Sequence, residues 1–316
     1  MGILKQEIIN AHERIKPFIH RTPVLTSASI NEMYGCSFYF KCENFQKIGA
    51  FKIRGGMNAS LLLSPEKLEK GIATHSSGNH AQAIALAAKV LETKAYIVMP
   101  DNSPAVKVSA VKGYGAEITF CEPTLQARED TMEEVIKRTG AEFIHPFNDE
   151  RIIAGQATAA KELIEDVNDL DVMITPVGGG GLLSGTSLSA KYFGKDIKVY
   201  AGEPEGAADA VLSFKSGKVE SAPYIKTIAD GLLTTLGDIT LGIIRENVTE
   251  IFTVSEDEII NAMRLIYERM KIVVEPSSAA PLAAIIKNID KFRNKRVGII
   301  ISGGNVDLSN FKNWFK

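Results

Sequence analysis

The chain is poor in the features that mark extracellular, membrane-bound or nucleic-acid-binding proteins. Three cysteines, Cys36, Cys42 and Cys121, are odd in number and lack the close paired spacing of a zinc or redox site. They suit a reducing compartment. No apolar run is long enough to span a bilayer, and no repeat, low-complexity segment or Pro/Gly/Ser-rich linker interrupts the 316 residues. Like charges form no block. With 36 basic and 38 acidic residues the formal charge is −2, which argues against a nucleic-acid or membrane surface and for a small-molecule partner. The opening segment MGILKQEIINAHERI is no secretory leader, and Gln6 stands where a myristoylation signal needs Ser or Thr. A cytoplasmic location is therefore expected.

What is present is an ordinary globular composition, 45% hydrophobic and 23% charged, of a length that allows one or two domains. Leu4, Ile8, Ala11 and Ile15 share one face of an expected first helix. HRTPVLTS reads as extended because the residue before Pro23 avoids the helical region. A helix at 30–34 ends at Gly35, SFYFKC alternates as a strand, a helix is expected at 54–63, and Ser64-Pro65 starts another. From Gly71 onward strands and helices alternate: IATHS, 81–90, KAYIVMP, 105–112, AEITF, 125–138 and EFIHP. A second series follows, with a helix near 152–164, DVMITPV, a helix at 183–192 and IKVYAGEP. Ser255 and Glu258 form a capping box, and RVGIIIS is a wholly apolar strand. Such runs suit parallel strands covered on both faces by helices.

Four stretches carry chemistry. In ENFQKIGAFKIRGGM, Lys52 stands between Phe51 and Ile53, a half-buried setting. Burial disfavours the charged ammonium, and a neutral amine can condense with an aldehyde; the same pattern also fits a helix start whose lysine snorkels to solvent. After DVMITPV come Gly178, Gly179, Gly180, Gly181 and Leu182. Glycine costs about 1 kcal/mol relative to alanine inside a helix, so this run implies close approach to the backbone or a tight turn. Backbone N–H groups at a helix start suit a phosphate. A dinucleotide fingerprint fails at Leu183 or Ser184, and a P-loop fails at Thr186, leaving a different phosphorylated cofactor. Ser76, Ser77, Gly78, Asn79 and His80 follow a strand and open a helix, as a carboxylate site or as a plain cap. Ser302 lies at the carboxyl end of RVGIIIS, where ligands gather in open α/β sheets. In EPEGAADA, Glu203 and Asp209 flank a turn. They are either a hard-cation site or solvated loop acids.

In this order ENFQKIGAFKIRGG, SSGNHAQA, GGGGLLSG and SGGNVDL, joined by HRTPVLTS, HPF, IAGQ, IADG and VSEDEI, resemble the fold type II pyridoxal-phosphate enzymes. Within them the chain is most similar to the serine racemases and the threonine or serine dehydratases. The resemblance implies a tryptophan synthase β-like α/β fold of two domains with mainly parallel sheets. Residues 1–70 and 149–316 would form the large cofactor-binding domain, and 71–148 a small inserted one. It implies that Lys52 forms the Schiff base with pyridoxal phosphate, that Phe51 packs beside the ring, and that Gly178, Gly179, Gly180, Gly181 and Leu182 bind the phosphate. Asn79 would reach the ring hydroxyl and Ser302 the pyridine nitrogen, with Gly231 and Glu275 as further cofactor contacts. A neutral Ser302 gives less reason than an aspartate for that nitrogen to be protonated, which favours elimination over longer-lived carbanion chemistry. The substrate carboxylate would settle on Ser76, Ser77, Gly78, Asn79 and His80.

Lys52 and Ser77 are then the catalytic pair: Lys52 removes the Cα proton, and Ser77, on the opposite face, can return one with inversion. Glu203, Asp209 and the Ala207 carbonyl would hold magnesium, calcium or manganese, and the protein would be a homodimer. The expected activity is elimination of water from L-serine or L-threonine to give ammonia and an oxo acid, with serine racemisation possible. Dehydration of threo-3-hydroxyaspartate, or a predominantly racemising enzyme, are the alternatives. Phe147 stands where mammalian serine racemases carry asparagine and dehydratases commonly an aromatic residue, and Ala157 replaces the glycine of IAGQGT. Because the chain ends twelve residues after Gly304, the regulatory domain of biosynthetic threonine dehydratases, and feedback by isoleucine, are not expected. A cysteine-synthase-type transferase lacks support in the sequence around the lysine, and a non-catalytic cofactor binder would release no ammonia.

Overall fold

The computed structural model describes residues 2–315. Ten strands form: β1 (Val24–Leu25), β2 (Ser37–Cys42), β3 (Ile72–His75), β4 (Ala95–Pro100), β5 (Glu117–Cys121), β6 (Glu142–Phe143), β7 (Val172–Pro176), β8 (Lys198–Pro204), β9 (Glu250–Val254) and β10 (Arg296–Ile301). They make two sheets, ordered β1-β2-β10-β7-β8-β9 and β5-β4-β3-β6. Every pairing is parallel except that of β1 with β2. The cause is visible in the strands themselves. β4 and β7 are buried along their whole length, so both faces need a helical cover and the chain must cross over between strands.

Alternate residues of the larger sheet feed two cores. Phe38, Phe40, Ile174 and Ile299 pack with Ile266 and Leu282 from helices Glu256–Met270 and Pro276–Lys287. Met173, Ala201 and Ile300 face the other way, toward Leu163 and Leu183 of helices Glu150–Asp166 and Gly181–Phe193. The smaller sheet does the same, with Ile72, Ile97 and Met99 against Ile84 and with Ala73, Tyr96 and Val98 against Met132 and Val135. Among the described residues no helix is long and apolar enough to cross a membrane.

Helix Lys52–Leu61 packs both on Asn79–Val90, which follows β3, and on Glu150–Asp166. Its buried Arg54 fixes that placement. Nε and Nη2 donate to Glu43 at 2.7 and 2.8 Å; Nη1 and Nη2 donate to Glu162 at 2.9 and 2.8 Å; and Nη1 also meets Thr158 Oγ1 at 3.1 Å. All five guanidinium donors are thereby used. Lys41 reaches Glu162 at 2.7 Å, so two cations and two carboxylates, each at most 1% exposed, close on one another.

Several sequence expectations shift. Leu4, expected on the buried face of the first helix, precedes helix Lys5–Ile15 and is 63% exposed, while Ile8, Ala11 and Ile15 are fully buried. Among the helices that begin two residues earlier than their apolar period suggested are those opening at Lys52, Asn79 and Gly181. That difference puts all three residues in a first turn, where backbone N–H groups have no helical acceptor. Helices Asp209–Ser216, Asp238–Asn247 and Pro276–Lys287, and strand β9, had no counterpart in the sequence reading.

Candidate active site

The cleft is built at the carboxyl ends of β3, β7 and β10. Lys52 opens its helix with its stem half-buried, and Nζ donates to the Pro146 carbonyl at 2.9 Å and lies 5.4 Å from the centre of the Phe51 ring. Burial lowers its pKa from 10.5 to about 8, against the opposing pull of Glu275. A sizeable neutral fraction therefore exists near pH 8. The backbone around it is tied to the loop after β10: Phe51 N–H donates to Ser302 O at 2.9 Å, Gly304 N–H to Gly49 O at 2.9 Å, and Ala50 bridges Gly303.

The next residue after Pro146 reaches the glycine loop. A Cβ on Gly179 would stand 2.3 Å from the Phe147 ring, and Gly180 has φ +86°, so neither position accepts a side chain without displacement. Helix Gly181–Phe193 makes its first internal bond from Ser184 N–H to Gly180 O, leaving the earlier N–H groups, Leu182 included, for an anion. Gly178 packs on Leu232 and on the Gly231 carbonyl, and Gly231 N–H donates to Ser277 Oγ at 3.1 Å. The lysine, the glycine loop and Gly231 therefore share one wall.

Asn79 and Glu275 pair at the loop after β10, which opens with Ser302. Asn79 Nδ2 donates to both Glu275 oxygens at 3.0 and 3.1 Å, and its Oδ1 accepts from Asn305 Nδ2 at 2.8 Å. Burial, with Asp230 nearby, pushes the Glu275 carboxyl up to about 7, whereas Lys107 and the Asn79 amide pull it down. Ser302 Oγ is 2.9 Å from Ser278 Oγ, and both are buried.

Ser76 and Ser77 are half-buried in the loop between β3 and helix Asn79–Val90, and Ser76 Oγ accepts from Gly78 N–H at 3.3 Å. The His80 ring turns inward, with Nε2 3.3 Å from Ile144 O. Burial and the neighbouring Lys52 hold its pKa well below the ordinary value, so the ring is neutral; Nε2 donates and the buried, unpartnered Nδ1 is an acceptor. His80 thus faces the loop chiefly through its backbone N–H.

Glu203 lies near the end of β8 and Asp209 opens the helix that follows it. Glu203 accepts from Ala210 and Val211 N–H at 2.6 and 2.9 Å, capping helix Asp209–Ser216, and Ala207 is buried in the turn between them. Burial raises Glu203 to about 8 and Asp209 to about 7, and Asp209 Oδ2 is buried without a partner. Among the described residues no group of three or more His, Cys, Asp or Glu gathers as a metal site would. Two carboxyls and a carbonyl are what the turn supplies.

Sequence reasoning missed the turn 145–148. His145 Nδ1 accepts Phe147 and Asn148 N–H at 3.2 and 2.9 Å, which shapes the turn that offers the Pro146 carbonyl to Lys52. Asn148 Oδ1 then accepts from Ile239 N–H at 3.1 Å, at the start of helix Asp238–Asn247. Ser278 was missed as well. A histidine followed by proline was the one available signal.

The site fits pyridoxal phosphate on its own geometry: a half-buried amine of lowered pKa, an N–H cradle closed to side chains, a buried neutral hydroxyl at Ser302 and an amide–carboxyl pair at Asn79 and Glu275. Comparison with known proteins agrees. Residues 15–303 match the model of the pyridoxal-phosphate dependent enzyme family. The serine racemase of Dictyostelium discoideum is 54% identical over 308 residues, covering 96% of this chain and 95% of that one. The beta-hydroxyaspartate dehydratase of Paracoccus denitrificans is 50% identical over 303 residues, covering 96% of each. The structure of maize serine racemase matches with a TM-score of 0.94 at 44% identity, over 99% of this chain and 96% of that one. With its lysine, its glycine cradle and its two mainly parallel sheets, the chain belongs to the pyridoxal-phosphate dependent enzymes of fold type II.

Proposed function

We propose that the protein is an ammonia-lyase of small hydroxy amino acids, L-serine and L-threonine, with threo-3-hydroxyaspartate as the alternative substrate and interconversion of serine enantiomers as a second activity. The observation that carries this reading is the half-buried Lys52 amine, held by the Pro146 carbonyl next to the residue that packs on the glycine loop, together with a serine-bearing loop at a helix N-terminus. When bound, pyridoxal phosphate supplies an aldehyde for the amino group and an electron sink for the electrons left at Cα.

Lys52 would hold the aldehyde, the N–H groups of residues 178–182 the phosphate, and Ser302 the ring nitrogen. Asn79 and Glu275, already paired, would border the ring hydroxyl, with Phe51 and Gly231 beside it. The backbone N–H groups of residues 79 and 80, with Ser76 and Ser77, orient the substrate carboxylate, Gly78 leaving them room. Lys52 would take the Cα proton, and its lowered pKa suits that task near neutral pH. Loss of the β-hydroxyl then gives an unsaturated amine that hydrolyses to ammonia and oxo acid. Ser77 is the candidate to protonate the opposite face, the reading supported by the racemase relatives.

We further propose that the chain divides into a large domain of residues 1–70 and 149–316 and a small one of 71–148, and that it functions as a cytoplasmic homodimer. A divalent cation at Glu203, Asp209 and the Ala207 carbonyl would neutralise two carboxyls that burial otherwise protonates. Exhaustive chelation should then lower melting temperature or activity reversibly, and Asp209→Ala should mimic it; no change in either, with no metal found by elemental analysis, counts against the site. For the activity itself, purified holoprotein is incubated with each enantiomer of serine, threonine and threo-3-hydroxyaspartate. Oxo acid and ammonia should form from the L-hydroxy amino acids, and their absence from all of them would refute the reading.

A further inference from the structure

Lys107 is a nearly enclosed lysine that the elimination chemistry does not use. It belongs to helix Ala105–Gly113 after β4, its side chain is 10% exposed, and it forms an ion pair with Asp230, whose side chain is 41% exposed. Its stem lies across the serine-bearing loop. A Cβ on Gly78 would stand 3.3 Å from Lys107 Nζ and 3.5 Å from Cδ, so the glycine leaves the space that the lysine crosses. Asp230 immediately precedes Gly231 on the cofactor wall, and both Lys107 and Asp230 act electrostatically on Glu275. The ammonium therefore sits between the loop expected to hold the substrate carboxylate and the wall expected to hold the cofactor.

We propose that Lys107 is a specificity-determining residue: it receives a second carboxylate on the substrate, which displaces Asp230 from it. The inference rests on the hydroxy amino acid reading given above. Its physical basis is the asymmetry of the pair. Asp230 is open enough to be hydrated when released, whereas an enclosed ammonium must keep a negative partner, because an unpaired buried charge is strongly unfavourable. A substrate such as 3-hydroxyaspartate, with two carbons between its carboxylates, offers that partner from a site beside Gly78. Serine and threonine offer none, and they leave the Lys107–Asp230 pair in place. The exchange swaps one carboxylate for another on the same cation, so charge balance is kept.

The test is steady-state kinetics of the holoenzyme with L-threo-3-hydroxyaspartate and L-serine, read as the ratio of their kcat/KM values. Lys107→Met should lower that ratio about 10- to 100-fold, the range for a lost charge-assisted hydrogen bond, mainly through KM for the dicarboxylate. Asp230→Asn should raise the ratio, because the competing carboxylate is gone. A purely structural pair would move the ratio the same way in both variants, and that result, or a ratio unchanged within threefold in Lys107→Met, would overturn the proposal. Titration of each holoprotein with succinate, followed by cofactor absorbance, gives an independent reading that needs no turnover. The parent should bind succinate at least tenfold more tightly than Lys107→Met and less tightly than Asp230→Asn; equal affinities would overturn the proposal. If the parent turns over none of the hydroxy amino acids, the ammonia-lyase reading fails while the succinate titration still decides the role of Lys107.

Discussion

Lys52 and Arg54 leave the same helix two residues apart, the first half-buried and the second wholly buried. Arg54 enters a cluster in which every guanidinium donor meets Glu43, Glu162 or Thr158, and its partners raise its pKa above an already high value. It is fixed and chemically inert. Lys52 enters the cleft with the Pro146 carbonyl as a partner and with its pKa lowered to about 8. Burial acts on both cations; what differs is compensation. Where carboxylates surround the charge, burial yields a rigid support, and where they do not, it yields a reactive amine. One short helix thus carries its own foundation on one side and the proposed nucleophile on the other.

Substitution at the two positions should separate these roles. Lys52→Ala should lower turnover by at least about 10³-fold, since it removes both the cofactor link and the Cα base, while unfolding stability holds or rises because a poorly compensated buried cation is gone. Retained activity with the parent absorbance spectrum would mean that Lys52 is the wrong lysine. Arg54→Leu should lose about 3–5 kcal/mol in urea unfolding, because it strands Glu43 as a buried charge and leaves Glu162 with Lys41 as its one buried strong cation. A loss under about 1 kcal/mol would show that the cluster does not anchor the helix.

The cleft side can be examined further. Ser77→Ala should abolish interconversion of L- and D-serine, and elimination from D-serine with it, while elimination from L-serine falls about 10- to 100-fold through poorer positioning. Undiminished conversion of L- to D-serine in the variant would remove Ser77 from the mechanism. Glu275 offers a smaller, pH-dependent effect. Its folded pKa of about 7 exceeds the ordinary 4.5, so the folded state binds the extra proton between these values and stability falls as pH rises through that window. Glu275→Gln should therefore match the parent near pH 4 and exceed it by about 3 kcal/mol at pH 8, measured by urea unfolding. An equal difference at both pH values would contradict the buried-carboxyl account.

Much of this was legible in the sequence because the chemistry is local. The lysine between two bulky residues, the four consecutive glycines and the serine loop after IATH each stand out within a few residues and were joined by the family resemblance, and the apolar runs of β4, β7 and β10 announce a covered parallel sheet. Other parts were not. Glu43, Arg54 and Glu162 look like ordinary surface charges until the fold brings positions more than 100 residues apart into one cluster. Helix Pro276–Lys287 was hidden by Pro281, which forfeits a helical hydrogen bond inside an otherwise alanine-rich buried segment. The His145 turn depends on a ring nitrogen accepting two backbone N–H groups, a geometry with no periodic signature. Leu4 misled because its spacing fits the helix face while its position falls just before the helix begins.

The central claim is that Lys52, and no other lysine, carries the cofactor. Reducing the holoprotein with borohydride, digesting it and locating the pyridoxyl group by mass spectrometry tests this directly. The account predicts one modified peptide, with the group on Lys52. A pyridoxyl group on any other lysine, with Lys52 unmodified, would contradict it.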